Sequence, residues 1–349
     1  MTHWKGRGTA INPDNRYQSR RSDIDEEFAP ERAPDTQVRE ETARSIIARN
    51  NSPDIPFSQS INTYRGCEHG CIYCFARPSH AYLDLSPGID FETRLIAKTN
   101  AADQLDIELR KPSYRCETIA MGTNTDPYQP IERDYRLTRQ ILETALRFKH
   151  PVSIVTKSQL ILRDIDLLSE LAKQDLCHVG ISVTTLDNAV KTALEPRTAN
   201  GAARIKVIRQ LSEAGVPTSV MCAPVIPVIN DKEMENILSA ASDAGAKWAH
   251  WMLVRLPLEV APMFEDWLRE HYPQRAEHVM SLIKQCRAGR ANDPRFHHRQ
   301  QGSGVYVDIL QQRFEVACKK LGLNTTRPPR LRQDLFSPPP LPGTQIGLW

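Results

Sequence analysis

Three cysteines fall within eight residues, in the run Tyr64-Arg65-Gly66-Cys67-Glu68-His69-Gly70-Cys71-Ile72-Tyr73-Cys74. The spacing, C-x3-C-x2-C, lets thiolates from one short loop converge on one metal centre. Gly66 and Gly70 permit backbone turns that a β-carbon would block. Such turns aim N–H groups inward, where they can bond cluster sulfide. Three sulfurs rather than four is informative. A structural zinc site is closed by four ligands, and an iron–sulfur cubane held wholly by protein also takes four. Three thiolates leave one metal with an open position. Two other readings of these residues stand beside that one: a zinc ion completed by His69, His80 or Cys116, and three buried structural thiols.

Two further stretches carry groups suited to a polar ligand. In Gly122-Thr123-Asn124-Thr125-Asp126-Pro127-Tyr128, a glycine, small hydroxyls and an amide follow an apolar run. That composition suits close backbone approach to a ligand, and it also suits a plain turn. In Leu194-Glu195-Pro196-Arg197, opposite charges two apart could meet ribose hydroxyls or a ligand carboxylate, or form a solvated salt bridge. A basic stretch, Arg287 to Arg299 with Phe296 inside it and Tyr306 beyond, is either a nucleic-acid contact or a solvated surface.

The elements that must position these groups alternate. Apolar runs at Gln59–Tyr64, Glu117–Met121, Val152–Thr156, His178–Thr184, Thr218–Ala223 and Trp248–Val254 read as buried parallel strands. Between them lie helical patterns at Thr93–Arg110, Leu137–Phe148, Asp164–Lys173, Ala202–Ala214 and Asp231–Ala244. Asp231 is placed as an N-cap, and Gly215 and Gly245 stand where helices end. Alternation of this kind predicts an α/β fold, a parallel sheet with right-handed crossovers. Six units are too few for an eight-fold barrel, so a partial (βα)6 TIM-like barrel is expected. The cysteine loop follows the first strand and therefore belongs at the C-terminal mouth, where such folds place their ligands. Four regions are expected: a poorly ordered arm over 1–54 with one short helix around Gln37–Arg49, the barrel over 55–257, a helical extension over 258–323 (Met263–Glu270, Arg275–Arg287, Val305–Lys320), and a proline-rich, extended tail over 324–349 whose apolar end, Ile346-Gly347-Leu348-Trp349, could dock back. Both arms are expected to be flexible.

Composition narrows the classes. The chain has 349 residues, 40% hydrophobic and 25% charged, with a net charge of +3, which points to neither a nucleic-acid nor a membrane partner in bulk. No window approaches the apolar length of a membrane span. The opening residues, MTHWKGRGTAINPDNRYQSRR, lack the apolar core of a secretory leader. Eight cysteines without a disulfide-like framework, and an oxidisable cluster, place the chain in the reducing cytoplasm.

Cys67-x3-Cys71-x2-Cys74, with aromatic Tyr73 before the last cysteine, resembles the signature of the radical S-adenosylmethionine superfamily, and the six β-α units resemble its partial barrel. The resemblance covers roughly residues 57–257. It implies that these cysteines hold three irons of a 4Fe-4S cluster whose fourth iron is chelated by S-adenosylmethionine, with a 5′-deoxyadenosyl radical as the product of reductive cleavage. It also implies electron delivery by a flavodoxin- or ferredoxin-type partner. Within the superfamily, Thr125-Asp126-Pro127, the pair Thr156-Lys157 and Ser182 resemble the spore photoproduct lyase family and its DNA repair photolyase-like branch. That likeness implies that Thr125, Lys157 and Ser182 contact S-adenosylmethionine. Thr123 and Asn124 join them as candidate contacts from the same loop, with Glu195 and Arg197 from the other. The hydrogen-donating cysteine of spore photoproduct lyase falls here at about Thr123, whose O–H bond is too strong for that role. Reversal of a thymine lesion is therefore not expected, and the substrate, nucleic acid included, stays open. The competing expectation is a non-catalytic zinc- or cluster-bearing module that binds nucleic acid.

Overall fold

A computed structural model describes residues 4, 6–9, 11–17, 34–328 and 330–340. Its strands are β1 (Gln37–Glu41), β2 (Ile47–Arg49), β3 (Gln59–Ile61), β4 (Tyr64–Arg65), β5 (Arg94–Lys98), β6 (Ile119–Met121), β7 (Val152–Thr156), β8 (Cys177–Ser182), β9 (Thr218–Val225) and β10 (Trp248–Leu253). Its helices are α1 (Asp90–Thr93), α2 (Ala101–Leu109), α3 (Glu132–Tyr135), α4 (Leu137–Phe148), α5 (Ile165–Ala172), α6 (Asn188–Leu194), α7 (Gly201–Glu213), α8 (Met234–Asp243), α9 (Val260–His271), α10 (Ala276–Gln285) and α11 (Val305–Leu321).

Seven strands form one sheet in the order β10-β9-β8-β7-β6-β3-β2. The first six run parallel, and β2 is antiparallel to β3. The partial barrel of six β-α units is therefore present, and it stays open between β10 and β2. Helix packing follows from sequence period. In α4, Leu137, Ile141, Leu142, Ala145 and Phe148 share one buried face. Asn200 caps α7 by accepting from Ala203 N at 2.8 Å, and Gly215 and Gly245, at φ +78° and +98°, end α7 and α8.

Four expectations change. The helix placed over Thr93–Arg110 begins as a strand, because Leu95 and Ala97 in β5 are buried between β1 and β4 in a separate three-stranded sheet. Tertiary pairing overrides local helix preference there. The short helix placed around Gln37–Arg49 is instead β1 and β2, for the same reason. Nor do the described residues of 1–54 form a loose arm. Arg7 is buried and donates to Glu92 O at 3.1 Å, and Asn15 donates to Ala81 O at 2.9 Å. Asp231 does not cap a helix: it opens a short 3-10 turn ahead of α8, and its carboxylate accepts from Tyr306 Oη at 2.6 Å.

Helices α9, α10 and α11 overlap the helical patterns expected between residues 258 and 323. Val260, Phe264, Trp267, Val279 and Ile283 from α9 and α10 pack with Ile72 and Tyr73, so the extension backs the cysteine loop. The described tail residues are extended and run across the other end of the barrel. Asn324 bonds Lys247 O ahead of β10, Arg332 N bonds Asp175 O ahead of β8, Ser337 N bonds Phe148 O ahead of β7, and Arg110 at the end of α2 bonds Pro339 O. Phe336 lies among Tyr114, Phe148 and His150. The expected docking segment 346–349 lies outside the described residues. Among the described residues, no helix is long and apolar enough to cross a membrane.

Candidate functional site

The cysteine loop leaves β4 and is held from below by two buried side chains. Gly66 and Gly70 take φ of +76° and +67°, and a β-carbon at Gly66 would stand 2.6 Å from Leu95. Both glycines are thus required by conformation and by space. Arg77, fully buried, donates from Nε to Cys71 O at 3.0 Å and pairs through Nη2 with Glu92 at 2.5 Å. Glu92 also accepts from Gly8 N at 2.9 Å, so the N-terminal segment presses on the loop. Burial raises the Glu92 carboxyl, against the pull of Arg77.

Cys67 and Cys71 are buried and Cys74 is partly open. Burial first, then the nearby charge of Asp126 and of the neighbouring sulfurs, pushes the Cys67 thiol well up. Cys71 is raised by burial and by Glu195, with Lys157 pulling the other way. Thiolates in such a place need a cation to hold them. Two candidate fourth ligands commit one ring nitrogen each: His69 Nδ1 faces Asp126 Oδ2 at 3.4 Å, and His80 Nε2 faces Arg94 O at 2.9 Å, while His80 Nδ1 is buried without a partner among the described residues. Cys116 precedes β6, at the strand ends remote from the loop. Among the described residues, no three His, Cys, Asp or Glu side chains converge on a single-ion site. The donor set fits a cluster with three protein thiolates and does not fit a closed zinc site.

Above the loop, the ends of β3, β6 and β7 are tied together. Asn62 donates to Thr123 Oγ1 at 3.3 Å and accepts from Asn124 N at 3.2 Å. Gly122 has φ +85°, and a β-carbon there would stand 2.0 Å from Val155 O. Asp126 is the knot of this region. It accepts from Thr156 Oγ1 at 2.6 Å, from Lys157 N at 2.8 Å and from Tyr128 N at 2.9 Å, besides facing His69. Burial would raise its pKa, yet His69 and these donors bring it down to about 2. The cysteine loop and the mouth of β7 therefore share one carboxylate. Lys157 leaves this knot with an ammonium that makes no hydrogen bond or ion pair among the described residues, within electrostatic reach of Cys71 and Glu195.

The other predicted residues divide. Thr123 and Asn124 are partly open at the mouth. Thr125 and Ser182 are buried and donate to Tyr64 O at 3.2 Å and Ala223 O at 2.9 Å, so each binds adjacent backbone and keeps only acceptor lone pairs for a ligand. Glu195 is turned inward. It is fully buried, and its oxygens accept from Arg204, Tyr73 and Thr184, the last at 2.6 Å. Arg204, itself 1% exposed, also donates to Thr198 Oγ1 at 2.6 Å and to Ser182 O at 3.0 Å. Burial notwithstanding, Arg204 and Lys157 bring Glu195 down to about 2. This buried pair tethers Tyr73, between two of the cysteines. Arg197 is part-exposed and reaches Glu68 Oε1 at 3.2 Å, on the cysteine loop.

The basic stretch is not a free cationic surface. Arg287 is fully buried and donates to the carbonyls of Leu253, Val254, His298 and Arg299. Arg295 pairs with Asp293, and Arg299 with Asp54 at 2.5 Å. Sequence reasoning quoted Asp126 within Thr125-Asp126-Pro127 without giving it a role, and passed over Arg77, Glu92 and Arg204.

The family model of the Radical SAM superfamily matches residues 61–241. An uncharacterized protein of Mycobacterium tuberculosis is 38% identical over 236 residues, covering 67% of this chain and 69% of that one. An uncharacterized protein of Methanocaldococcus jannaschii is 28% identical over 217 residues, 62% of this chain and 77% of that one. Among solved structures, spore photoproduct lyase complexed with dinucleoside spore photoproduct superposes with a TM-score of 0.58 at 12% identity, over 82% of this chain and 80% of that one. That likeness is one of fold.

Proposed function

The chain belongs to the Radical SAM superfamily, and from that premise we propose that it is an enzyme that cleaves S-adenosylmethionine reductively at a 4Fe-4S cluster held by Cys67, Cys71 and Cys74. The cluster, when bound, supplies the electron that splits the sulfonium into methionine and a 5′-deoxyadenosyl radical. The observation that carries the proposal is the donor count: three cysteines on one braced loop, with no three His, Cys, Asp or Glu side chains among the described residues placed to hold a single ion. A corner of the cluster is then left for an outside ligand.

This chain's own residues prepare for that ligand. Lys157 directs an uncommitted ammonium toward the cysteine loop, suited to the cofactor's carboxylate. Its backbone is fixed by Asp126, which fixes His69 as well. Thr123 and Asn124 present small polar groups at the mouth for the nucleoside, and Thr125 and Ser182 offer acceptor lone pairs. Glu195 acts at one remove, by anchoring Tyr73. Arg197 lies where it can reach the cofactor's polar groups while keeping Glu68 on the loop. A flavodoxin- or ferredoxin-type donor would deliver the electron to such a cluster. The reducing cytoplasm suits an oxidisable cluster of this kind. A lyase-like reaction on a substrate other than a thymine lesion fits the Thr123 position best.

The test is anaerobic. Reconstituted protein with dithionite and S-adenosylmethionine should release 5′-deoxyadenosine and methionine, read by mass spectrometry. A protein that carries its cluster and releases neither overturns the proposal.

A further inference from the structure

Arg255 follows β10 at the mouth, and Asp54 and Cys74 act on its charge only at a distance. Its guanidinium makes no hydrogen bond or salt bridge among the described residues, and its Nε is sealed from solvent. Its Cζ sits 4.0 Å from the centre of the Phe75 ring, and Phe75 directly follows Cys74. A guanidinium so placed lacks the acceptors that buried donors normally find, and stacking on an aromatic face leaves its edge donors free.

The surroundings are unbalanced in the same sense. Arg287 and Arg299 both lie within electrostatic reach of Arg255. Arg287 is fully buried and engages only carbonyls, while Arg299 already occupies both oxygens of Asp54. Burial and the proximity of Arg255 pull Arg287 down to about 10. The two carboxylates near these three guanidiniums, Asp54 and Asp293, are already bonded to Arg299 and Arg295. The segment bearing Arg299 also brings Gln300, whose carbonyl accepts from Leu253 N at 3.2 Å and whose side-chain Oε1 is buried without a partner. An unbalanced cation and an orphaned acceptor, both beside the end of β10, call for a ligand with an anion and a hydrogen-bond donor.

We infer that Arg255 is the anion-binding residue of a substrate subsite beside Cys74, and that the substrate carries a carboxylate or a phosphate. The inference deepens the proposed function and rests on it for the word substrate. The subsite is separate from the contact assigned to Lys157, which leaves the β7 side of the mouth rather than the β10 side. The anion would fix the substrate on Phe75, with its remaining donor toward Gln300.

The experiment uses the reconstituted full chain saturated with S-adenosylmethionine. Isothermal titration is run in two arms, with pyrophosphate and with succinate, on the unchanged protein, Arg255→Lys and Arg255→Gln. One arm should bind, and binding should fall at least tenfold in Arg255→Gln and by less in Arg255→Lys. The affinity for S-adenosylmethionine should change less than threefold in either variant. The arm that binds tells phosphate from carboxylate. Binding in neither arm, binding unchanged in Arg255→Gln, or displacement of S-adenosylmethionine by the anion each overturns the inference. Unchanged thermal unfolding of Arg255→Gln excludes a folding defect. Release of 5′-deoxyadenosine by the unchanged protein separates the two claims: its loss refutes the radical reaction, while an anion effect of Arg255 survives that loss.

Discussion

Replacing Arg204 by methionine strips the buried Glu195 carboxylate of its counter-charge. Both groups are essentially without solvent contact, and they are bonded to each other as well as to Tyr73, Thr184 and Thr198. Removing one member of such a pair costs about 3–5 kcal/mol, because the other charge is left buried and alone. The titration of Glu195 gives a second estimate. Its pKa falls from an ordinary 4.5 to about 2, which corresponds to about 3 kcal/mol. The folded-state value lies below the unfolded one. This contribution is therefore complete above about pH 5 and is lost as pH falls toward 2. Urea titration of the metal-free protein at pH 7 should show Arg204→Met less stable by about 3–5 kcal/mol. The double variant Arg204→Met with Glu195→Gln should recover most of that loss, since it leaves no charge unpaired. In Arg204→Met, the Glu195 that accepts from Tyr73 is no longer held by Arg204, so iron bound per chain after reconstitution should drop. A loss below about 1 kcal/mol, or a double variant no better than the single one, refutes this reasoning.

Three further outcomes follow from other residues. Asp126→Asn keeps the shape of the knot and removes its charge; stability at pH 7 should fall by about 2 kcal/mol, the acid-labile step between about pH 4 and 2 should shrink, and the Kd for S-adenosylmethionine should rise about tenfold by equilibrium dialysis. Gly122→Ala places a β-carbon against Val155 O at a left-handed φ, so urea titration should show a loss of about 2 kcal/mol or more, because neither backbone can give way. Phe336→Ala removes the ring that bridges Tyr114, Phe148 and His150; a loss of about 2 kcal/mol, with deoxyadenosine yield unchanged, would mark the tail as a strap on the end of the barrel away from the chemistry.

The parts legible in the sequence were those whose pattern is local. The runs of β8 and β9 read as strands because a strand buried on both faces is rich in small and apolar residues, and β7 because Val152, Ile154 and Thr156 alternate on its buried face. The cysteine loop was legible because ligand spacing is itself a local property. Leu95 and Ala97 were misplaced because a short apolar run beside Ala101–Leu109 continues a helical period as well as it makes a strand, and only β1 and β4 decide between them. Gln37–Glu41 is read correctly only with β5 in hand. Among the site residues, Glu195 is sealed inside. An acidic residue next to Pro196 looks like a surface loop until Arg204, nine residues on, is seen to turn inward from α7 to meet it. Arg204, Arg77 and Arg287 resemble ordinary surface cations in sequence, and all three are buried. Long-range pairing decided each of these cases.

The proposal that one iron is left for an outside ligand is tested most directly by Mössbauer spectroscopy of protein reconstituted with iron-57. Addition of S-adenosylmethionine should shift the signal of a single iron and leave the rest as they were, and the same should hold in His69→Ala. Irons that all ignore S-adenosylmethionine, or one already coordinated by a fourth side chain of this protein, would contradict the account.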